Sequence, residues 1–334
     1  MPKPNVNPVI SWPQERVIVT GGAGFLGSFV VDQLRAKHCT TIIIPRSQDT
    51  DLRDASVLAP FFERTKPTVI IHLAAVCGGI GANQAAPGQF FYDNAIMGIQ
   101  LMEYARRYGI KKFVQIGTVC AYPKFPTTIP FDEEDLWSGY PEETNAPYGL
   151  AKKMLLVQAQ AYRDQYGFNA IYVLPANLYG PRDHFDLEKS HVIPAMIRKF
   201  MDAKGAGAAS ATLWGSGVPS RDFFYVEDAA EGILAASEKY NGRDPVNLGT
   251  SEEVSIKTLA EMVARLTGFQ GTILWDRSRP DGQPRRAISA KRAFEAFGFR
   301  AKTSLEAGLL KTIEWYRKNQ PNSASSGVDN TTRH

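Results

Sequence analysis

The sequence predicts an α/β protein: a doubly wound parallel sheet with a smaller, partly discontinuous second domain. Three observations predict it. Short β-branched runs alternate with longer helical ones from Arg16 to Leu174, the pattern of strands joined by crossover helices. A glycine-rich turn, T-G-G-A-G-F-L-G-S (Thr20 to Ser28), joins the first strand to the first helix. After Pro175 the texture changes to loops rich in Gly, Pro and Asp, broken by shorter helices.

Strands are expected at Arg16–Thr20, Thr41–Pro45, Thr68–Leu73, Phe113–Gly117 and Ala170–Leu174, because each is a short apolar run of the kind buried in parallel sheets. Helices are expected at Phe90–Tyr108 and Tyr148–Tyr166. Val226–Tyr240 and Pro245–Leu248 read as a last helix and strand that return to the sheet. The first domain is therefore expected at 15–176, with about 226–249 returning to it. The second is expected at 177–225 with 250–320. Residues 1–14 hold four prolines and read as a flexible surface arm, and the polar stretch 321–334 reads as a flexible tail.

The turn after the first strand has the spacing G-x-x-G-x-x-G, at Gly21, Gly24 and Gly27. Glycines so placed allow a tight turn, a close approach of backbone to a pyrophosphate and close packing of helix on strand. The helix N-terminus that follows presents free N–H groups and a positive dipole end to the phosphates. Gly21, Gly24, Phe25, Leu26 and Gly27 are thus expected to hold a dinucleotide. The second strand ends I-I-I-P-R-S, with Arg46 where a carboxylate would hold the ribose hydroxyls of NAD. An arginine there suits a 2′-phosphate, so the expected cofactor is NADP, with Asp51 and Leu52 as adenine contacts.

Composition bounds the alternatives. The chain has 334 residues, of which 44% are hydrophobic, and a net charge of +4. It is long enough for a large core. Its basic residues are scattered, which argues against a nucleic-acid surface and suits a small polyanionic ligand. The apolar stretch around Val69 to Val76 is far too short to span a bilayer, so no membrane partner is expected. Met1 to Gln14 does not read as a signal peptide. Cys39, Cys77 and Cys120 lack metal-ligand spacing and read as reduced thiols in a cytoplasmic setting. The five histidines, His38, His72, His184, His191 and His334, form no ligand cluster, and no metal is expected.

Tyr148 and Lys152 lie four apart in Y-G-L-A-K, so on a helix they share one face. A free phenol has a pKa of about 10. A fixed positive charge beside it is expected to lower that value and make it a usable acid and base.

On these residues the chain resembles the extended short-chain dehydrogenase/reductase family. The carrying features are G-G-A-G-F-L-G (Gly21–Gly27), H-L-A-A (His72–Ala75), the Thr118 region and Y-G-L-A-K. Further stretches resemble the family's GDP-sugar epimerase-reductases: G-G-I (Gly78–Ile80), C-A-Y-P-K (Cys120–Lys124), N-L-Y-G-P-R-D (Asn177–Asp183), S-H-V-I-P-A (Ser190–Ala195), L-W-G-S-G (Leu213–Gly217), R-D-F-F-Y-V-E-D (Arg221–Asp228) and R-P-D-G-Q-P-R-R (Arg279–Arg286). The resemblance implies a Rossmann sheet, a small-molecule GDP-sugar substrate and a homodimer. It also implies NADPH-dependent 3,5-epimerisation and C4 reduction of GDP-4-keto-6-deoxy-D-mannose.

Residue by residue, it implies a redox triad of Thr118, Tyr148 and Lys152, with Thr118 in place of the more usual Ser. It implies Cys120 and His191 as the proton-transferring pair. A thiol in a suitable pocket is a fair base and imidazole titrates near neutrality. Asn177, Trp214, Arg221 and Arg285 are the implied substrate contacts, the arginines for phosphate. A related enzyme on the same scaffold stays open at this point, either a 3,5-epimerase alone or one acting on a 6-deoxy-heptose.

Overall fold

The computed structural model describes residues 9–187 and 190–319. Its first five strands are β1 (Arg16–Thr20), β2 (Thr41–Ile43), β3 (Val69–His72), β4 (Lys112–Ile116) and β5 (Ala170–Pro175). With Val246–Leu248 they form one six-stranded sheet, ordered Val246–Leu248, β5, β4, β3, β1, β2. Every pair in it is parallel. The chain enters at β1, steps out to β2 and returns across β1 to β3. The order therefore reverses between β1 and β3, and the crevice beyond their C-terminal ends is where such sheets bind ligands.

The strands lie close to their expected positions. The second stops at Ile43 rather than Pro45, since Pro45 has no N–H to give a sheet ladder. Val17, Ile18 and Val19 are fully buried, as are Val69, Ile70 and Ile71, because crossover helices cover both faces of the sheet.

The N-terminal segment departs from the expected arm. Residues 1–8 lie outside the described residues, as do 320–334, which include the expected tail. Ile10 and Trp12, however, are buried in the main core cluster, and the Trp12 indole N–H donates to Glu238. Two large apolar side chains outweigh the solvation of the prolines around them.

The covering helices include α1 (Phe25–Ala36), α2 (Ala55–Thr65), α3 (Ile80–Ala85), α4 (Pro87–Arg107) and α5 (Ala146–Tyr166). A second buried cluster gathers Ile193, Ile197 and Phe200 with Leu213, Leu259 and Val263. These six come from the helices Val192–Gly205 and Ile256–Thr267 and the strand Ser210–Trp214.

Helix α5 fixes the geometry that matters later. It begins after Asn145 with Pro147 in its first turn and ends at Gly167, whose left-handed backbone (φ 66°) lets its N–H close back on Arg163 and Tyr162. Near its start, Gly149 lies so close to the turn Val119–Ala121 that a methyl group there would meet the Cys120 carbonyl. Gly149→Ala is therefore expected to push α5 off that turn. The cost should be about 1–3 kcal/mol, with a lower melting temperature by differential scanning fluorimetry and a still larger loss of catalytic rate.

Candidate active site

A cleft of about 990 Å³ lies at the C-terminal side of the sheet and is lined by both buried clusters. Its sheet side begins at the glycine turn. Gly21 is left-handed (φ 69°), and a side chain at Gly27 would collide with the Gly21 carbonyl. The turn thus reaches a compactness that only glycines permit. Gly24 caps α1 without a side-chain hydrogen bond, so the first N–H groups of that helix remain open to a ligand. Gly21, Gly24, Phe25, Leu26, Gly27, Arg46, Asp51 and Leu52 all line the cleft.

Arg46 is exposed at the mouth and has no ion pair among the described residues. Asp51 is clasped by Arg53, which also reaches Asp93 at 3.2 Å. Hydrogen bonding by Arg53 holds the Asp51 carboxyl below the usual carboxylate range.

Thr118, Cys120, Tyr148 and Lys152 line the middle of the cleft. Thr118 follows β4 and caps the short turn Val119–Ala121, its hydroxyl accepting from the Cys120 N–H at 3.2 Å. The same hydroxyl lies within hydrogen-bonding reach of the Tyr148 phenol. Lys152 follows one helical turn after Tyr148 and is buried.

The electrostatic outcome differs from the expected one. Burial pushes the Tyr148 phenol well above its ordinary range, with the Cys77 and Cys120 thiols adding to the effect. Burial also brings Lys152 down to about 8. Desolvation penalises both charged forms. Tyr148 is therefore a protonated phenol at neutral pH.

His191 precedes the helix Val192–Gly205 and opens into the cleft. His191 is exposed to the cleft, yet desolvation by the surrounding walls, helped by His184, holds its imidazole below the ordinary value of 6.5. It is therefore mainly neutral at neutral pH.

Asn177 lines the cleft, with its side-chain N–H donating to the Asp222 carbonyl at 2.9 Å. Trp214 is half exposed at the rim. The Arg279 guanidinium lies 4.8 Å from its ring and the Lys199 ammonium 5.6 Å away.

Arg221 donates to the Ser220 carbonyl at 2.8 Å. Burial, reinforced by Arg286, lowers it to about 9, which leaves it cationic at neutral pH. Arg285 does not line the cleft. It pairs with Glu253 on the outside, and its neighbour Arg286 turns inward instead. The two are adjacent in the strand Arg285–Arg286, where consecutive side chains point to opposite faces. Arg286 donates to the Gln283 side-chain amide oxygen Oε1 at 2.9 Å and reaches the Cys120 sulfur at 3.5 Å.

Sequence reasoning missed Arg286, and with it Cys77, Asp183, His184 and Lys199, which also line the cleft. The signal for the arginine was present in R-R, but only the strand register decides which of the two faces in. Among the described residues, no helix is long and apolar enough to cross a membrane.

A parallel sheet with a switch point, an uncapped glycine turn and a Tyr/Lys pair define a nucleotide-cofactor enzyme. The chain belongs to the NAD dependent epimerase/dehydratase family, whose profile matches residues 17–249, and it has the extended short-chain dehydrogenase/reductase fold.

Within that family it is similar to the GDP-L-fucose synthases. It is 41% identical over 305 residues to the GDP-L-fucose synthase of Sinorhizobium fredii, covering 91% of this chain and 96% of that one. It is 38% identical to GDP-L-fucose synthase 1 of Arabidopsis thaliana over 91% of this chain and 94% of that one. The solved structure of a GDP-L-fucose synthetase from Naegleria fowleri bound to NADP superposes with a TM-score of 0.85 at 30% identity. That match covers 94% of this chain and 96% of the other.

Proposed function

We propose that this protein is an NADPH-dependent epimerase-reductase that inverts C3 and C5 of GDP-4-keto-6-deoxy-D-mannose and reduces C4, giving GDP-L-fucose. One observation carries the reading. Thr118, Tyr148 and Lys152 open onto the same cleft as Cys120 and His191, so a single sugar ring meets both sets without leaving the site.

The residues present fit the cofactor. The open N–H groups at the start of α1 suit a pyrophosphate, and the uncommitted Arg46 guanidinium suits a 2′-phosphate. When bound, NADPH supplies the hydride for C4.

The chain's own residues handle protons. The ketone at C4 makes the hydrogens on C3 and C5 acidic. Cys120, as the thiolate, takes a proton from one face of the ring, leaving an enolate, and the minor protonated form of His191 gives one back on the other face. Each inversion leaves Cys120 protonated and His191 neutral, so both exchange with water before the next. During reduction Tyr148 donates its phenolic proton to the C4 oxygen, with Thr118 fixing the direction of that donation. A phenol held protonated by burial suits this role.

In this reading 15–176 with about 226–249 holds the dinucleotide, and 177–225 with 250–320 holds the GDP-sugar. Arg221 and Arg286 take the diphosphate, Asn177 the sugar side and Trp214 the guanine. The free thiols Cys77 and Cys120 at the cleft suit a reducing cytoplasmic setting.

Three measurements test the reading. Each variant is first incubated with the keto-sugar in D₂O and deuterium entry is followed by mass spectrometry. Tyr148→Phe should lose roughly 10²- to 10⁴-fold in reduction and still incorporate deuterium. Cys120→Ser should incorporate none, and deuterium uptake at the wild-type rate in that variant would sink the epimerase half.

Second, Arg46→Ala should weaken NADPH by about 10- to 100-fold, the loss of one charge-assisted hydrogen bond, while NADH is nearly unchanged. Equal weakening of both cofactors would assign Arg46 a structural part.

Third, we propose a homodimer paired through α4 and α5. Those helices leave Phe91, Tyr92, Ile99, Met154 and Val157 exposed, more apolar surface than a lone helix pair needs. Sedimentation should give a dimer at micromolar concentration, and a monomer alone would rule the pairing out.

A further inference from the structure

Asp183 is more than nine-tenths buried and lines the cleft, yet only one of its oxygens is used. Oδ1 accepts from the His184 backbone N–H at 2.7 Å. Oδ2 is buried and has no hydrogen-bond partner among the described residues. A buried oxygen without a partner is a substantial cost that folded proteins seldom leave unmet.

The loop that carries Asp183 is also held in an unusual conformation. Arg182 adopts a left-handed backbone (φ 68°), uncommon for a residue with a side chain. Its guanidinium pairs with Asp32 at 2.8 Å and lies 4.5 Å from the Phe29 ring, both on α1. The loop is thus tied to the helix whose N-terminus forms the glycine turn. That attachment leaves the next residue, Asp183, in the cleft wall. Strain of this kind gathers where a ligand is gripped.

We propose that Asp183 is a ligand-binding residue whose free Oδ2 accepts a hydrogen bond from a neutral N–H or O–H donor, either the amide or ribose of the bound dinucleotide or a hydroxyl of the sugar. The identity of the ligands rests on the function proposed above; the geometry does not. Burial raises the Asp183 carboxyl to about 7. The position suits the reacting end of the cleft. Asp183 shares the cleft lining with Cys77, Lys152, His184 and His191.

Asp183→Asn separates ligand binding from a structural part. The amide keeps an oxygen for the His184 N–H and turns a donor, in place of an acceptor, toward the ligand. Its unliganded melting temperature should equal or exceed the wild-type value, since a buried unpartnered carboxyl is removed. Affinity for one ligand should fall about 10- to 100-fold.

NADPH is titrated by fluorescence and the GDP-keto-sugar by calorimetry. Weakening of the first alone assigns the donor to the dinucleotide, and of the second alone to the sugar. A lower melting temperature with both affinities within twofold of wild type would overturn the proposal. So would a lower melting temperature with both ligands weakened alike, the result of a damaged loop. If wild-type protein bound neither ligand, the proposed function would fall instead. The melting comparison would then still decide whether Asp183 is a destabilising group held for a ligand or a structural one.

Discussion

The close approach of α5 to the turn after β4 is the constraint on which the site depends. With no side chain at Gly149, the helix start rests against the Cys120 carbonyl. That contact sets the distance from Tyr148 and Lys152 to Thr118 and Cys120. Two groups of residues, one suited to redox proton transfer and one to carbon acid chemistry, thereby share a single rigid corner. Both partners of the contact grow from the sheet: Thr118 lies two residues past the end of β4, and α5 runs into β5, the neighbour of β4. Misplacement by an ångström at such a corner costs far more than the packing energy itself.

Burial, more than pairing, sets the electrostatics of this corner. Tyr148 is pushed up, Lys152 down to about 8 and His191 below its usual value. All three shifts favour neutral forms, although Lys152, at about 8, remains mainly cationic at neutral pH. Permanent cations, Arg46, Arg221 and Arg286, line the cleft beside these titratable groups. That division suits a ligand with charged phosphates and an uncharged reacting ring. Phosphates meet permanent cations, while the ring meets groups whose protons can move.

Much of this was legible in the sequence because it rests on local rules. Strand and helix positions follow from apolar periodicity. The glycine turn follows from its spacing, and Tyr148 with Lys152 from the helical repeat. What the sequence hides depends on tertiary register and desolvation. R-R does not say that Arg285 faces Glu253 while Arg286 faces Cys120. The prolines around Trp12 mask its burial. The expected downward shift at Tyr148 fails because a neighbouring charge can be read from spacing, whereas exclusion of solvent by a second lobe cannot. Asp183 sits in a quoted motif, but only the folded loop reveals that one of its oxygens is unpartnered.

Thr118 brings these themes together. Its backbone is extended (φ −154°, ψ 144°), a conformation that β-branched side chains favour and that restricts the side-chain torsion. The hydroxyl is then fixed twice, accepting from the Cys120 N–H and lying within reach of the Tyr148 phenol. A serine at this position would offer the same atoms with more torsional freedom. The added methyl group therefore stiffens the one hydroxyl that both halves of the site share. In the proposed mechanism it would tie the orientation of the Tyr148 proton to the backbone that carries the Cys120 sulfur, so that reduction and carbon deprotonation are referred to the same fixed point.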